Sequence, residues 1–182
     1  LLPAGAGAKS ASFVASGTLG SGVTVALKAD GTVEAVSAVD ESLGSSAQIS
    51  NGNFAYPVGV YDSTNNKVVV VYSGPSNRAY AVVGQISGTS ISFGSEVLAV
   101  ATTAYHQAGA FDANTGKVLL CYSDYDNSEY GKAVVGTVSG TSISFGSVST
   151  FNSSATSYIS AIYDPSAQKI VIGYKDGSYP AN

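Results

Sequence analysis

Methionine and tryptophan are absent from this sequence of 182 residues, and cysteine occurs once, at Cys121. A single cysteine excludes a disulfide within the chain and leaves the redox compartment open. Because the sequence opens on the small residues LLPAGAGA without a methionine, we expect a processed product or a piece of a longer chain. This opening also lacks the basic residues that mark a signal peptide.

Charged residues are scarce as well, at 11% of the sequence with a formal net charge of −4. Without clustered Lys and Arg the chain has no surface suited to phosphate groups, so we expect no nucleic-acid partner and no attraction to anionic membranes. The longest aliphatic run, Val68 to Val71, is far shorter than the roughly 20 residues that span a bilayer. We therefore also expect no membrane insertion.

Hydrophobic residues, by contrast, make up 45% of the sequence, and glycine (21 residues) and tyrosine (12 residues) are abundant. Low charge with ample Val, Ile, Phe and Tyr indicates a packed domain rather than a disordered chain. Many Gly, Ser and Thr residues between short β-branched and aromatic stretches are typical of strands joined by tight turns. The composition predicts an all-β fold.

One unit occurs three times, each with an aromatic residue, Asp, four variable residues, Lys and a hydrophobic run. The copies read VYDSTNNKVVVVYSG, AFDANTGKVLLCYSD and IYDPSAQKIVIGYKD, and the nonapeptide SGTSISFGS follows the first two. These two copies are 50 residues apart at Asp62 and Asp112 but 52 apart at Val82 and Val134. The two-residue insertion is assigned to the segment after Tyr72, which reads SGPSNRA in the first copy and SDYDNSE in the second. This predicts a turn there, because strands do not accept such changes.

Alternation and β-branched content predict four strands in each unit. In the first unit, the first strand ends at Tyr61 and the second runs from Lys67 to Ser73. The third lies near Tyr80 to Ile86, and the fourth is Ser90 to Phe93. Ser-Gly-Thr supplies a glycine for the tight hairpin between the last two strands. The nonapeptide is therefore interpreted as a hairpin turn with its outgoing strand. Four-stranded repeats of this length are the size of β-propeller blades.

The sequence thus predicts an all-β fold of tandem four-stranded antiparallel blade-like repeats, β-propeller-like but incomplete, at residues 54–182. Two and a half repeats are fewer than a closed propeller needs. Three explanations are open for the missing repeats. They belong to a longer parent chain, they are supplied by other copies of this chain, or they are not needed because the repeats stack as an open array. Before the repeats, Val23, Val25 and Leu27 alternate into an Asp30-Gly31 turn, which predicts a hairpin module at residues 1–40. Ser-rich residues 41–53 are interpreted as a linker.

His106, the one histidine, is the first candidate for chemistry. It lies six residues before Asp112, where the other copies carry Tyr56 and Tyr158, so we interpret it as a structural replacement for Tyr. A general base also needs an orienting partner, which the sequence does not identify. The recurring Asp of each unit, at Asp62, Asp112 and Asp164, is interpreted as a turn residue that binds backbone N–H groups.

DYDNSE is the one dense cluster of oxygen ligands, and Asp124, Asp126 and Glu129 are the candidate residues for a weak Ca²⁺ site. It lacks the spacing and the glycine of an EF-hand loop, which favours a solvated loop. Cys121 aligns with Val71 and is interpreted as a buried strand residue. The sequence therefore predicts no catalytic residue, no cofactor and no resident metal.

The first two repeats resemble those of bacteriophage tail-fibre and other virion structural proteins. The resemblance lies in YDSTNNKVVVVYS followed by YAVVGQISGTSISFGS, and in FDANTGKVLLCYSD followed by YGKAVVGTVSGTSISFGS. The preceding ASGTLGSGVTVALKADGTVEAVS resembles a small β module of such proteins. The resemblance covers about three quarters of the chain. It implies a virion location, assembly with other copies or other virion proteins, and adhesion to host-surface glycans, with no active residues.

Three functions remain open at this point. The first is a virion structural or tail-fibre protein, which is not an enzyme. The second is a lectin-like carbohydrate-binding propeller module, since loops rich in Tyr, Asn, Ser and Asp on a rigid β scaffold suit sugars. The third is a fragment of a propeller enzyme.

Overall fold

The computed structural model describes residues 12–36, 43–50 and 52–177 of the chain. Two compact units are present, Leu1–Ser42 and Leu43–Asn182. Within the described residues, helix is limited to two three-residue 3-10 turns, Pro75–Asn77 and Tyr125–Asn127. The prediction of an all-β fold is confirmed, and so is the incomplete propeller-like arrangement of its repeats.

The first unit contains a two-stranded antiparallel sheet of β1 (Val25–Leu27) and β2 (Val33–Ala35). Gly31 has a φ of +82°, which glycine adopts without a steric penalty, and Asp30 Oδ1 accepts hydrogen bonds from the Thr32 N–H and hydroxyl. The predicted Asp-Gly hairpin is therefore present.

Residues 52–177 of the second unit form ten strands in one antiparallel sheet, which curls into a half-barrel. The spatial order is β12-β11-β9-β8-β7-β5-β4-β3, with β6 paired to β5 and β10 paired to β9. The strands are β3 (Ala55–Asp62), β4 (Lys67–Ser73), β5 (Arg78–Ser87), β6 (Ser90–Phe93), β7 (Val97–Asp112), β8 (Lys117–Asp124), β9 (Tyr130–Ser139), β10 (Ser142–Phe145), β11 (Ser149–Asp164) and β12 (Lys169–Asp176).

Both copies of the nonapeptide form the predicted hairpin and outgoing strand. The turns between β5 and β6 and between β9 and β10 place Gly88 at φ +58° and Gly140 at φ +59°. A glycine at the first central position is what a two-residue type II′ hairpin requires. The two-residue insertion also lies where it was predicted, at the hairpin end of β8 and β9: Tyr72 pairs with Tyr80, whereas its equivalent Tyr122 pairs with Lys132, two residues further along.

The two 16-residue strands, β7 and β11, each belong to two successive repeats. The first part of β7 pairs with β5 of the preceding repeat, and the part from Ala104 onward pairs with β8 of the next. Repeat 1 is accordingly β3 to β6, repeat 2 is the second part of β7 with β8 to β10, and repeat 3 is the second part of β11 with β12. The four-strand prediction lacked this crossing, because alternation marks a strand without identifying its partner.

The core lies between repeats 1 and 2. The front face of a repeat is the face toward the next repeat, and the back face is the opposite one. The front face of repeat 1 packs on the back face of repeat 2 through buried side chains. These side chains include Val60, Val69, Val71 and Val83 on the front face of repeat 1, and Phe111, Val118, Leu120 and Val134 on the back face of repeat 2. Burial of these side chains from water supplies the main free energy that holds the repeats together.

Gly44 repeats a contact that Gly94 makes in the following unit. Gly44 lies against the Thr89 carbonyl so closely that a Cβ would collide with it, and Gly94, 50 residues later, lies against the Thr141 carbonyl in the same way. The segment suggested as a linker by its composition thus makes the contact that Gly94 makes in the next unit.

Candidate functional site

Three β-bulges occur at the same position of the three repeats. The pairing register shifts between Ala55 and Val58 in β3, and the matching shifts lie in the middle of β7 and β11. One residue of each bulge has a positive φ: +53° at Tyr56, +50° at His106 and +52° at Tyr158. A non-glycine residue in this region is strained by about 1–3 kcal/mol, and such strain concentrates at functional sites. Its threefold recurrence indicates a feature that the fold maintains.

The bulges turn aromatic rings outward. Tyr56 is 65% exposed and Tyr158 is 74% exposed, and His106 is exposed as well. The His106 ring lies 5.6 Å from the Tyr158 ring, and the Tyr56 ring lies 6.4 Å from that of Tyr105, the neighbour of His106. The three bulges therefore place their rings along one surface, where successive repeats meet.

These rings line an open groove of about 610 Å³. Tyr105 and Tyr125 extend the aromatic surface, with their rings 4.6 Å apart in an edge-to-face arrangement. Several aromatic rings around one concave surface are typical of ligand sites, since they bury a ligand at little cost in side-chain entropy. The lining residues are Tyr56, Pro57, Val58, Tyr105, His106, Gln107, Tyr125, Tyr158 and Ile159.

Gln107 anchors the floor of the groove from behind. Its side chain is buried, and Nε2 donates hydrogen bonds to Ser73 Oγ (2.8 Å) and to the Ala104 carbonyl (3.2 Å). Oε1 is buried without a hydrogen-bond partner within the described residues. Because the amide ties repeat 2 to the end of β4 in repeat 1, it fixes the bulge that carries His106.

The lining contains no carboxylate and no Lys or Arg. His106 therefore has no acidic neighbour among the lining residues that could orient its imidazole for general base catalysis. Its alignment with Tyr56 and Tyr158 is reproduced in three dimensions by the shared bulge and the shared positive φ. The alignment with Tyr was predicted from the sequence, but the exposure of this position was not. Because it is exposed, His106 lines the groove as well as replacing Tyr.

The three recurring aspartates each hold their own turn. Asp62 Oδ1 accepts the backbone N–H groups of Thr64 and Asn65 at 3.0 Å each. Asp112 and Asp164 make the equivalent pair of bonds in their own repeats. These hydrogen bonds are the ones expected of a turn aspartate. The three carboxylates therefore bind backbone N–H groups at the turns and do not line the groove.

The three candidate Ca²⁺ ligands do not converge. Asp124 is buried and pairs with Lys132 (Oδ2 to Nζ, 3.6 Å), whereas Asp126 Oδ2 accepts the Thr103 N–H at 2.9 Å. Hydrogen bonds from Thr103 also hold the pKa of Asp126 below its usual value. No group of three His, Cys, Asp or Glu side chains within residues 12–36, 43–50 and 52–177, Glu129 included, is arranged to hold a metal ion.

Cys121 lies in β8 and is fully buried. Burial disfavours the thiolate and raises the pKa of the thiol to about 12. A thiol of this kind is neither a nucleophile nor a metal ligand at neutral pH. Its neighbour Tyr122 is also buried, which raises the pKa of the phenol to about 12.

Stability should therefore fall at alkaline pH. In the folded state both groups keep their protons up to about pH 12, whereas in the unfolded chain the thiol ionises near 9.0 and the phenol near 10.0. Because the unfolded state binds fewer protons between these limits, the free energy of unfolding decreases as pH rises. We expect Cys121→Val to remove about 1 kcal/mol of this loss at pH 10, measured by urea unfolding at pH 7 and pH 10. An identical pH dependence in the variant and the parent would contradict the burial of an ionisable thiol.

Across the part of the chain that the structure describes, no helix is long and apolar enough to cross a bilayer. Comparison with known proteins finds no matching family model, no matching curated protein and no matching solved structure.

Proposed function

We propose that this protein is a carbohydrate-binding module and that the aromatic groove binds neutral glycans. The observation that carries the proposal is the recurrence of an exposed aromatic ring at the same strained bulge in three successive repeats. Sugars offer apolar C–H faces that stack on aromatic rings, and the rings of tyrosine also bring a hydroxyl that donates and accepts hydrogen bonds. A row of such rings at repeat spacing suits a chain of sugar units.

The lining chemistry favours an uncharged ligand. Sialic acids, uronic acids and phosphorylated sugars carry anionic groups that proteins recognise with Arg or Lys, and the lining has neither. Glycoside hydrolysis in most families needs two carboxylates across the scissile bond, and the lining has no carboxylate either. Binding without turnover is the function that this set of side chains supports best.

The wider setting that we propose is the virion of a bacteriophage, in which the chain is a structural or tail-fibre component that adheres to host-surface glycans. The support for this setting is the resemblance of the repeats, together with their β scaffold and their exposed groove. A free lectin-like module would use the same groove in the same way. Electron microscopy of particles labelled with an antibody to the protein separates the two settings, since only the first predicts labelled virions.

Removal of the groove tyrosines should abolish glycan binding without unfolding the protein. On an array of neutral and anionic glycans we expect neutral oligosaccharides to bind the parent chain. For the best of these ligands, we expect Tyr56→Ala and Tyr158→Ala each to weaken the affinity about tenfold, which corresponds to a loss of about 1.4 kcal/mol in calorimetric titration. Each side chain is largely exposed, so the melting temperature should change little.

Phe13→Ala serves as the matched control, because Phe13 is a similarly exposed aromatic residue outside the groove. His106→Tyr, which restores the residue of the other repeats, should retain both fold and binding. Equal affinity of Tyr56→Ala, Tyr158→Ala and the parent would place the binding elsewhere. Release of free sugar from the bound glycan, lost in His106→Tyr, would instead support the enzyme interpretation.

A further inference from the structure

Three tyrosine rings of the groove meet nearly at right angles. The Tyr105 ring lies 4.6 Å from that of Tyr125 at an interplanar angle of 78°, and 6.4 Å from that of Tyr56 at 83°. Tyr105 is half-buried, whereas Tyr56 and Tyr125 are 65% and 47% exposed. We call these three rings the aromatic cluster. Because neighbouring rings are nearly perpendicular, the cluster presents ring faces in more than one direction within a single lining.

Two of these rings are not part of the repeat pattern. At the position of Tyr105 the other repeats carry Ala55 and Ser157. Tyr125 begins the 3-10 turn of repeat 2, and the matching turn of repeat 1 begins with Pro75. Among the residues that the structure describes, the cluster is therefore formed where repeats 1 and 2 meet, and the row of bulge rings does not account for it.

The surroundings of the cluster favour a weakly hydrated cation. The lining contains no Lys or Arg that would repel a cation and no carboxylate that would pair with one. The carboxylates on either side of Tyr125 are engaged elsewhere, Asp124 with Lys132 and Asp126 with the Thr103 N–H. A primary ammonium is strongly hydrated and would lose its water without a charged partner. A quaternary ammonium has no N–H group, and the faces of aromatic rings attract it directly.

We infer that the aromatic cluster binds a quaternary ammonium group, such as that of choline, by cation–π attraction. The faces of the rings carry the negative part of their quadrupole, and a cation within about 6 Å of a ring centre is attracted to it. The formal net charge of −4 adds a weak attraction for any cation. The inference does not depend on glycan binding, since two of the three rings lie outside the row of bulge rings.

The charge of the ligand provides the first test. Dimethylbutanol has the shape of choline with carbon in place of nitrogen, so it offers the same methyl groups without the charge. In a nuclear magnetic resonance titration of the parent chain, we expect choline to bind at least about tenfold more tightly than dimethylbutanol, because only choline gains the cation–π attraction of several rings. Equal affinities, or a choline signal that does not respond to the protein, would overturn the inference.

Substitutions in the cluster provide the second test. Tyr105→Leu and Tyr125→Leu keep an apolar side chain but remove a ring, and we expect each to weaken choline binding about fivefold or more. Tyr105→Phe keeps the ring and should bind choline like the parent. Tyr61→Leu is the matched control, because Tyr61 is a similarly exposed tyrosine outside the groove. Circular dichroism excludes unfolding as the cause of a loss. Parent-like affinity in both cluster variants, or a loss in the control, would contradict the assignment.

Tyr158→Ala separates this site from the proposed glycan site. The ring of Tyr158 contacts that of His106 and lies outside the cluster, so this variant should lose glycan affinity and keep choline affinity. A parent chain that binds choline but no glycan would support the cluster and refute glycan binding. One that binds glycans but not choline would overturn the cluster as an ammonium site and leave glycan binding in place.

Discussion

Leu120→Ala should lower the free energy of unfolding by about 2–5 kcal/mol. Leu120 lies in β8 at the centre of the contact between repeats 1 and 2, and its side chain is fully buried. Truncation removes three carbon atoms from an apolar environment and leaves a cavity between the packed faces of repeats 1 and 2, which cannot close without moving a strand. Urea unfolding followed by circular dichroism measures the loss.

Ile172→Ala is the matched control. Ile172 occupies the same repeat position in β12, but its side chain is only half-buried. We expect this variant to lose less than half of what Leu120→Ala loses. Equal losses would contradict the view that the main core lies between repeats 1 and 2.

Gly94→Ala should destabilise the fold by about 3 kcal/mol or more, at the upper end of the range for overpacking. A Cβ on Gly94 would collide with the carbonyl oxygen and carbon of Thr141, which are backbone atoms of the β9–β10 turn and cannot rotate away. The hairpin of repeat 2 would have to shift relative to β6, and the packing of Ile143 beside it would be lost. Thermal unfolding should show the effect as a large decrease in melting temperature.

Gly146→Ala tests whether this cost comes from the contact or from the sequence motif. Gly146 occupies the same place in the second copy of the nonapeptide, yet the nearest atom to its Cβ would be the Val135 carbonyl oxygen at 3.8 Å. We expect this substitution to be neutral or slightly stabilising, because alanine restricts the unfolded chain more than glycine does. If both variants lost the same stability, the close approach of Gly94 to Thr141 would not be its cause.

Much of the local structure was predictable from the residues. The strands Lys67–Ser73 and Ser90–Phe93 have the predicted bounds, and the Gly88 turn and the Asp62 turn have the predicted geometry. Each of these features depends on neighbours within a few residues of the chain. Repetition strengthened the predictions, since three aligned copies show which positions tolerate change.

The groove was not predictable in the same way. Tyr56, His106 and Tyr158 were aligned correctly, but neither their positive φ nor their exposure has a signal in the sequence, because bulky residues rarely adopt that conformation. Each bulge shifts the register between the first two strands of its repeat, in β3 as well as in the long strands β7 and β11, so it depends on a strand pairing that the neighbouring residues do not identify. The contact between Gly44 and the Thr89 carbonyl was not predicted either. The residues around Gly44 have a linker-like composition, which carries no signal for a contact with a distant turn.

By itself the sequence determined the fold class, the repeat and its turns, because alternation, glycine and aspartate act through local sterics and hydrogen bonds. Only the tertiary structure decided which faces are covered and which side chains meet. Val60 and Ile162 occupy the same repeat position, yet one is buried and the other is exposed, since burial depends on what packs against a strand and not on the strand itself. The same reason separates the candidate Ca²⁺ residues, which are close in sequence but form different contacts, and brings together the groove rings, which lie about 50 residues apart.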